Sequence, residues 1–368
     1  MKSNIKKIAF FTVGFAFNRL VRMKFYEKIF PKNVEIYLIT TDKYSGKEKE
    51  NYQQEYSNLK RTKILKLKYG LSLPFELRKI CKKNKIDRLL NLGYHTSWPL
   101  LFFATLGTKT DYCINVLTDM FNQFNLVESY KEKLIELITL PYMWAGGLFA
   151  KKLFFTDRLN SIRARIFFLK NNETTPWLAA PVDTRLFRVK NKDDARKKLK
   201  IPLTKKVVIF VGRVNYLKCS DILMKLIKEH KDILFLVIGR VLDKNFQRFR
   251  PKNLIHYDKK SSKELVDYYN ASDISFCLNR GGGGIGLATE EAMACGVPCI
   301  ISEEFKLKKN PALIEIPIDY NEANQKLKSL INLTKKDRAK LSKIARDYII
   351  KNYSDDVWQA KYIKYYLE

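Results

Sequence analysis

The stretch "DISFCLNRGGGGIGLATEEAMACGVPCIIS", residues 273–302, decides the fold. Residues 273–279 read as a short apolar strand, 287–295 as a helix stopped by Gly296, and 297–302 as a second apolar strand entered through Pro298. Strand, bend, helix and strand in that order form the unit of a parallel α/β sheet. The bend takes Gly281 to Gly284 and Gly286, five of the fifteen glycines in the chain. In such a sheet, ligands sit outside the carboxyl ends of the strands. A glycine loop feeding a helix N-terminus offers bare N–H groups and the positive end of the helix dipole to an anion. Glu291, one turn into the helix, can accept two hydroxyls of a ribose beside that anion. Taken alone, the glycines also fit a surface turn carrying a solvated Glu290-Glu291 pair.

The same rhythm runs outward in both directions. The first half offers the apolar runs "KKIAFFTV", "VEIYLIT", "KILKLKY", "RLLNLGY", "DYCINVLT" and "KLFFTD". The second offers "KKVVIFVGR", "ILFLVIG", "NLIHYD", "DISFCLN" and "VPCIIS". Short apolar strands separated by amphipathic helices imply parallel sheets buried on both faces. A polar stretch, "VKNKDDARKKLKIPLTKK" (189–206), precedes a fresh strand and reads as the seam between two domains. No internal repeat is visible. A length of 368 residues also fits two domains.

A second candidate site lies in "VVIFVGRVNYLKCSDIL". Here a buried strand ends at Gly212, followed by Arg213 and then by Lys218 at the head of a helix. A planar fork and a point charge just past a strand end suit a diphosphate. In a chain with 69 Lys and Arg, two basic residues alone would read as solvated surface. Beside the glycine bend, at strand ends of one domain, they converge on one pocket.

Composition bounds the rest. The chain is 46% hydrophobic, enough for packed cores, and its net charge is +31. Residues 1–185 carry 32 Lys/Arg against 16 Asp/Glu, and residues 186–368 carry 37 against 22, so the excess is even, +16 and +15. An even excess points to a whole protein near a polyanion, or to a lysine-rich composition with no partner. Six cysteines without a CxxC pair, and three histidines, give neither a zinc site nor a disulfide framework, in keeping with a reducing cytoplasm. Residues 1–17 imitate a signal peptide, but Asn18-Arg19 follow with no small-residue cleavage site, so Lys7–Val13 is read as a first strand leading to a loop at Gly14. Residues 89–108 are interrupted by polar residues and Pro99 and read as strand, loop and buried helix rather than a membrane span.

With these pieces in order, the second half resembles the nucleotide-binding domain of the GT-B retaining glycosyltransferases of family 4. "FVGRVNYLK", "ILFLVIG", "NLIHYDKKSSKELVDYYNASDISFCLN" and "GIGLATEEAMACGVPCIIS" carry the likeness. "PVDTRLFRV" is similar to the family's domain junction, and "YSDDVWQAKYIKYYLE" to its closing helix. The resemblance implies an α/β fold of two Rossmann-like domains with parallel sheets facing each other across a cleft. The expected domains are 1–185 on the acceptor side, 186–345 for the nucleotide sugar, and a helix within 346–368 crossing back. It also implies that Arg213, Lys218 and the backbone of Gly283, Gly284, Ile285, Gly286 and Leu287 hold the donor diphosphate. Glu291 would take the ribose, Gly14 would line the donor, and no metal or cofactor would be needed. UDP- or GDP-sugars are the expected donors.

Two positions depart from the family. Its glutamate pair has seven residues between the partners; the second is Glu291, but Gly283 holds the first position, whose carboxylate normally touches the donor sugar. The family also often has a histidine after a mid-domain strand of the N-terminal half, where "NVLTDMF" places Thr118 and Asp119. Asp119 either contacts the sugar or shields a developing oxocarbenium charge, or merely caps a loop. His95, after "RLLNLGY", is a second catalytic candidate or a satisfied loop histidine. The function expected is transfer of a sugar, with retention, from a nucleotide-diphosphate sugar to a glycan or lipid-linked acceptor. The alternatives are a catalytically weak or inactive nucleotide-sugar-binding protein on the same fold and a transferase acting on DNA. No concentrated basic stripe with interleaved aromatics favours nucleic acid. An anionic membrane surface is the better match for the charge, with "WAGGLFAKKLFF" (144–155) either a basic, aromatic surface helix or core, and with the protein at the inner face of the membrane.

Overall fold

The computed structural model describes residues 5–13, 17–41, 56, 58–92, 97–116, 130–156, 158–280, 285–303 and 310–368. The chain divides into two compact units. One comprises residues 1–179 with 359–368, and the other residues 180–358.

The first unit holds a six-stranded sheet of β1 (Lys7–Thr12), β2 (Glu35–Thr41), β3 (Thr62–Leu67), β4 (Arg88–Asn91), β5 (Asp111–Val116) and β6 (Lys152–Phe155). The strand order is β3-β2-β1-β4-β5-β6 and every neighbouring pair is parallel. The second unit repeats this plan with β7 (Lys206–Val211), β8 (Ile233–Ile238), β9 (Leu254–Tyr257), β10 (Ile274–Cys277), β11 (Cys299–Ser302) and β12 (Leu313–Ile316). Its order, β12-β11-β10-β7-β8-β9, is again wholly parallel. Both orders are the doubly wound Rossmann arrangement, which reverses direction beside the first strand of each sheet.

All eleven apolar runs form strands, and β12 is the one the sequence reading missed. Its four residues, "LIEI", include the half-exposed Glu315 and pair only with β11 at the sheet edge. Inner strands such as β1 and β5 are buried at all but their first residue, because helices cover both faces. The stretch at 144–155 is not one helix. It is the end of a helix, Tyr130–Phe149, followed by β6, because Lys152–Phe155 pair with Cys113–Val116. Among the described residues no helix is long and apolar enough to cross a membrane.

The charged 189–206 stretch contains a helix, Lys192–Lys198, capped by the Asn191 side chain at 2.9 and 3.1 Å. Its Arg196 is buried and donates to Asp273 at 2.9 Å and to the Ala271 carbonyl at 2.9 Å. Lys192 (2.9 Å) and Arg338 (3.2 Å) reach the same carboxylate, which also accepts the Val207 N–H at 2.8 Å. One aspartate at the foot of β10 thus ties β7, the first helix of the unit and the helix Lys335–Tyr353 together.

The final helix, Asp355–Leu367, starts in the second unit and ends in the first. There Tyr366 stacks on Phe154 at 4.4 Å, and its hydroxyl meets Tyr26 at 3.2 Å and donates to Asn115. Fully buried Arg88 grips Asp111 with two bonds, of 2.8 and 3.1 Å, and donates to the Tyr366 carbonyl at 2.8 Å.

Candidate functional site

In the second sheet β7 and β10 are neighbours whose connections leave on opposite sides, β7 to β8 and β10 to β11. The crevice at their carboxyl ends is where a doubly wound sheet receives its ligand. After β7 comes Gly212, with φ 146°, then Arg213. Gly239, at the matching end of β8, shares that backbone angle, and a Cβ on it would lie 1.9 Å from the Gly212 carbonyl oxygen. Two bare residues therefore let the β7 and β8 ends press together and set the direction in which Arg213 leaves the sheet.

Arg213 is exposed and Lys218 half-buried. Lys218 stands in a short turn, Tyr216–Lys218, where its own N–H donates to the Asn215 side chain at 3.1 Å. Burial pushes its ammonium below the usual lysine value; Cys277 and Cys219 oppose this, and Arg213 adds to it. Neither cationic side chain has a carboxylate partner among the described residues. A half-buried cation without a counter-charge costs free energy until an anion arrives.

Arg280, the last residue before the glycines 281–284, pins the two halves of the site. It forks onto Asp221 at 2.8 and 2.9 Å, donates to the Tyr216 carbonyl at 2.6 Å and stacks on the Tyr216 ring at 3.9 Å. Its own N–H bonds the Leu217 carbonyl at 2.8 Å. The chain therefore enters the glycine stretch directly beside the Lys218 turn. It re-emerges at Ile285 and Gly286, where φ is 73° and nothing lies within 4 Å of a Cβ position. The helix Leu287–Ala294 follows, and the N–H groups of Leu287 and Ala288 donate to no described residue. Gly296, φ 78°, closes that helix, as its sequence position implied.

Glu290 and Glu291 are buried, at 3% and 7% exposure, so the solvated-pair reading is overturned. The residues packed over this helix, not its polarity, decide the point. Tyr269 donates its hydroxyl to Glu291 at 3.1 Å, and burial pushes the Glu291 carboxyl up to about 8 although that bond opposes it. Glu290 is driven well above the carboxylate range by burial and by its neighbour, and its Oε2 has no hydrogen-bond partner among the described residues. Between the lysine and this helix lies Cys277 at the end of β10. A bond with Cys299, helped by Ser275, Thr289 and the Lys218 charge, brings the Cys277 thiol down to about 7 against the effect of burial. The Cys277 charge in turn acts on Tyr269.

The structure thus gathers Arg213, Lys218, Ile285, Gly286, Leu287 and Glu291 at the carboxyl edge of one sheet. Gly14, His95, Asp119, Gly283 and Gly284 lie outside the described residues. They belong to segments that follow β1, β4, β5 and β10. Near the ends of β4 and β5, Asn91 and Asn115 clasp each other reciprocally: the Asn115 N–H and side-chain amide donate to Asn91 at 2.6 Å each, and the Asn91 side-chain amide donates to the Asn115 carbonyl at 3.2 Å. Arg280, Tyr269 and Cys277 were not foreseen. Only an arginine next to the glycines could have drawn attention, because Asp221 and Tyr269 are far away in sequence.

Residues 191–348 match the family described as Glycosyl transferases group 1. Among curated proteins, D-inositol 3-phosphate glycosyltransferase of Mycolicibacterium smegmatis is 27% identical over 132 residues, covering 32% of this chain and 30% of that protein. The enzyme of the same name from Thermomonospora curvata is 25% identical over 146 residues, covering 32% and 33%. The matched region therefore spans about a third of the length of these curated relatives. Among solved structures, sucrose-phosphate synthase from Thermosynechococcus elongatus superposes with a TM-score of 0.76 over 98% of both chains at 15% identity. Anabaena HepE in complex with UDP-glucose gives 0.76 over 97% of this chain and 98% of its own at 12% identity. Residues 191–348, within the second unit, are thus similar to the glycosyl transferases group 1 family, and the two Rossmann-like sheets of the chain match the GT-B fold of the solved structures.

Proposed function

We propose that the protein is a glycosyltransferase that moves a sugar, with retention and without a metal, from a nucleotide-diphosphate sugar to a glycan or lipid-linked acceptor. The observation that carries this reading is the half-buried Lys218, without a carboxylate partner among the described residues, beside Arg213 at the switch point of a sheet whose next loop feeds a helix N-terminus. In this reading Arg213, Lys218 and the N–H groups at Leu287 and Ala288 hold the diphosphate. Glu291, braced by Tyr269, accepts the ribose hydroxyls. When the bond from the anomeric carbon to the diphosphate breaks, negative charge grows on the leaving oxygen, and the same cations stabilise it. The acceptor hydroxyl oxygen forms the new bond to the anomeric carbon, and its proton passes to the departing diphosphate oxygen. Asp119 and His95 are the candidates for the sugar side. The donor is a UDP- or GDP-sugar: HepE, of the same fold, was crystallised with UDP-glucose.

A second reading follows from Gly283, where the family resemblance expects a carboxylate: a protein that binds nucleotide sugar without turning it over. One experiment addresses both. Melting temperature is measured with UDP-, GDP- and ADP-sugars, followed by assay of nucleoside diphosphate release with the best ligand. A rise in melting temperature with release supports the enzyme, a rise without release supports the binding protein, and no rise with any donor refutes both.

A further inference from the structure

The helix Tyr130–Phe149 turns an apolar stripe to solvent. Tyr130, Leu134, Leu137, Ile138 and Pro141 follow at i, i+4, i+7, i+8 and i+11, the spacing that normally faces a core. Tyr130 is instead 90% exposed, and Leu134, Leu137 and Ile138 are 57–58% exposed. Among the described side chains of this helix, the buried residues Met143, Gly146 and Gly147 belong to the last two turns, where Gly146 nears Trp98 and Gly147 lies under the Phe168 ring. Twenty residues of helix span about 30 Å, whereas the six residues of β5 span about 20 Å. The helix runs back from beyond the end of β5 to the start of β6. Its exposed turns therefore extend past the sheet on the edge from which the segments bearing Gly14, His95 and Asp119 leave.

A neighbouring helix, Arg158–Phe167, repeats the pattern. Ile162 and Ile166, with Leu169 just beyond, are exposed at i, i+4 and i+7, the last two at 80% and 79%. Trp144 joins the two helices by donating its indole N–H to the Phe167 carbonyl at 3.0 Å. Residues 130–170 carry eight Lys/Arg against three Asp/Glu, a net +5.

We infer that this face rests on an anionic lipid bilayer, with the Tyr130–Phe149 helix lying in the headgroup region. The apolar stripe supplies burial, Tyr130, Tyr142 and Trp144 suit the interface, and the exposed Arg158 and Arg163 on the adjoining helix answer the anionic surface. A second copy of this chain is the poorer occupant, since it would bring another +31 against this one. Resting on the glycosyltransferase reading above, the docking narrows the acceptor class to a membrane-held lipid.

The test is sedimentation of the full chain with vesicles of phosphatidylcholine, alone or with about a third phosphatidylglycerol. Leu137→Glu/Ile138→Glu is compared with a control of equal charge change on the second unit, Leu203→Glu/Ile350→Glu, whose parent residues are 48% and 44% exposed. The parent and the control should bind the anionic vesicles and not the neutral ones, and the helix variant should partition at least tenfold less. Equal binding by the helix variant, an equal loss in the control, or no binding by the parent would overturn the inference. So would light scattering that finds a parent dimer split by Leu137→Glu/Ile138→Glu, which would give the face to a second copy. Donor-induced melting shifts, measured without vesicles, keep the two readings apart: vesicle binding with no donor response refutes the transferase reading and leaves the docking surface standing.

Discussion

The Tyr269 hydroxyl donates to Glu291 Oε2 at 3.1 Å, with both side chains buried. This bond holds a carboxyl that burial has pushed up to about 8, so in the folded protein Glu291 keeps a proton that the unfolded chain loses near pH 4.5. A raised folded-state value gives stability that is full below the unfolded value and is lost as pH rises through the folded one. The slope is about 1.4 kcal/mol per pH unit between those limits. Glu291→Gln cannot titrate and can still accept from Tyr269. Its stability relative to the parent should therefore grow from pH 5 to pH 8, read from urea midpoints. Parallel profiles would remove Glu291 as the titrating group.

The same proton bears on the donor. If ionised Glu291 accepts two ribose hydroxyls, nucleotide-sugar affinity should climb with pH, at most about tenfold per unit, and level off above pH 8. Titration calorimetry in two buffers should detect the proton released on binding. Glu291→Gln should bind more weakly and without pH dependence; a parent that binds equally at pH 6 and pH 9 would refute the ribose role.

Arg213→Ala and Lys218→Ala should each weaken donor binding by about 1.5–3 kcal/mol, the range for hydrogen bonds to charged groups. Lys218→Met adds a sharper arm. Because the ammonium is half-buried without a carboxylate partner among the described residues, its removal should raise the melting temperature of the free protein while lowering donor affinity. A variant that loses stability and keeps affinity would make Lys218 a structural residue.

Asp273 should be the costliest single polar position in the second unit. Truncation to Ala strands buried Arg196 and removes the shared partner of Lys192 and Arg338, along with the acceptor for Val207. A loss of about 3–5 kcal/mol is expected from breaking a buried ion pair on one side. Asp273→Asn should recover part of it by keeping the Val207 bond. Denaturant unfolding of both variants checks the order, and an equal, small loss would contradict it.

The strands were legible because the inner strands carry mostly apolar runs, a consequence of helices on both faces. The carboxyl-edge placement of Arg213, Lys218 and Glu291 was legible for the same reason: once the strands are known, so are their ends. Burial of Glu290 and Glu291 was not, since two adjacent acids in a first turn look solvated until Tyr269, Tyr348 and Tyr353 are known to face them. Arg280 escaped notice because its worth lies in Asp221 and Tyr216, some sixty residues away. The exposed stripe of Tyr130–Phe149 was hidden too, for the i, i+4, i+7 spacing of an unpartnered helix is the same as that of a core helix.

Gly239 offers a test of how the donor cations are aimed. It lies on β8's end, not among the residues assigned to the donor, yet its φ of 146° and the carbonyl oxygen of Gly212, 1.9 Å from a Cβ position, leave no room for a side chain. Gly239→Ala must either push the Gly212 backbone aside or twist its own, at about 1–3 kcal/mol for a non-glycine residue held there. Gly212 directly precedes Arg213, so the displacement passes to the guanidinium. Stability should fall by that amount, and donor affinity should fall with it, approaching the loss in Arg213→Ala. In the double variant Gly239→Ala/Arg213→Ala the two affinity losses should not add, because a misdirected arginine has little left to lose. Additive losses would mean that Gly239 reaches the donor by another route, and unchanged affinity with lowered stability would mean that Arg213 does not depend on the β7–β8 junction for its position.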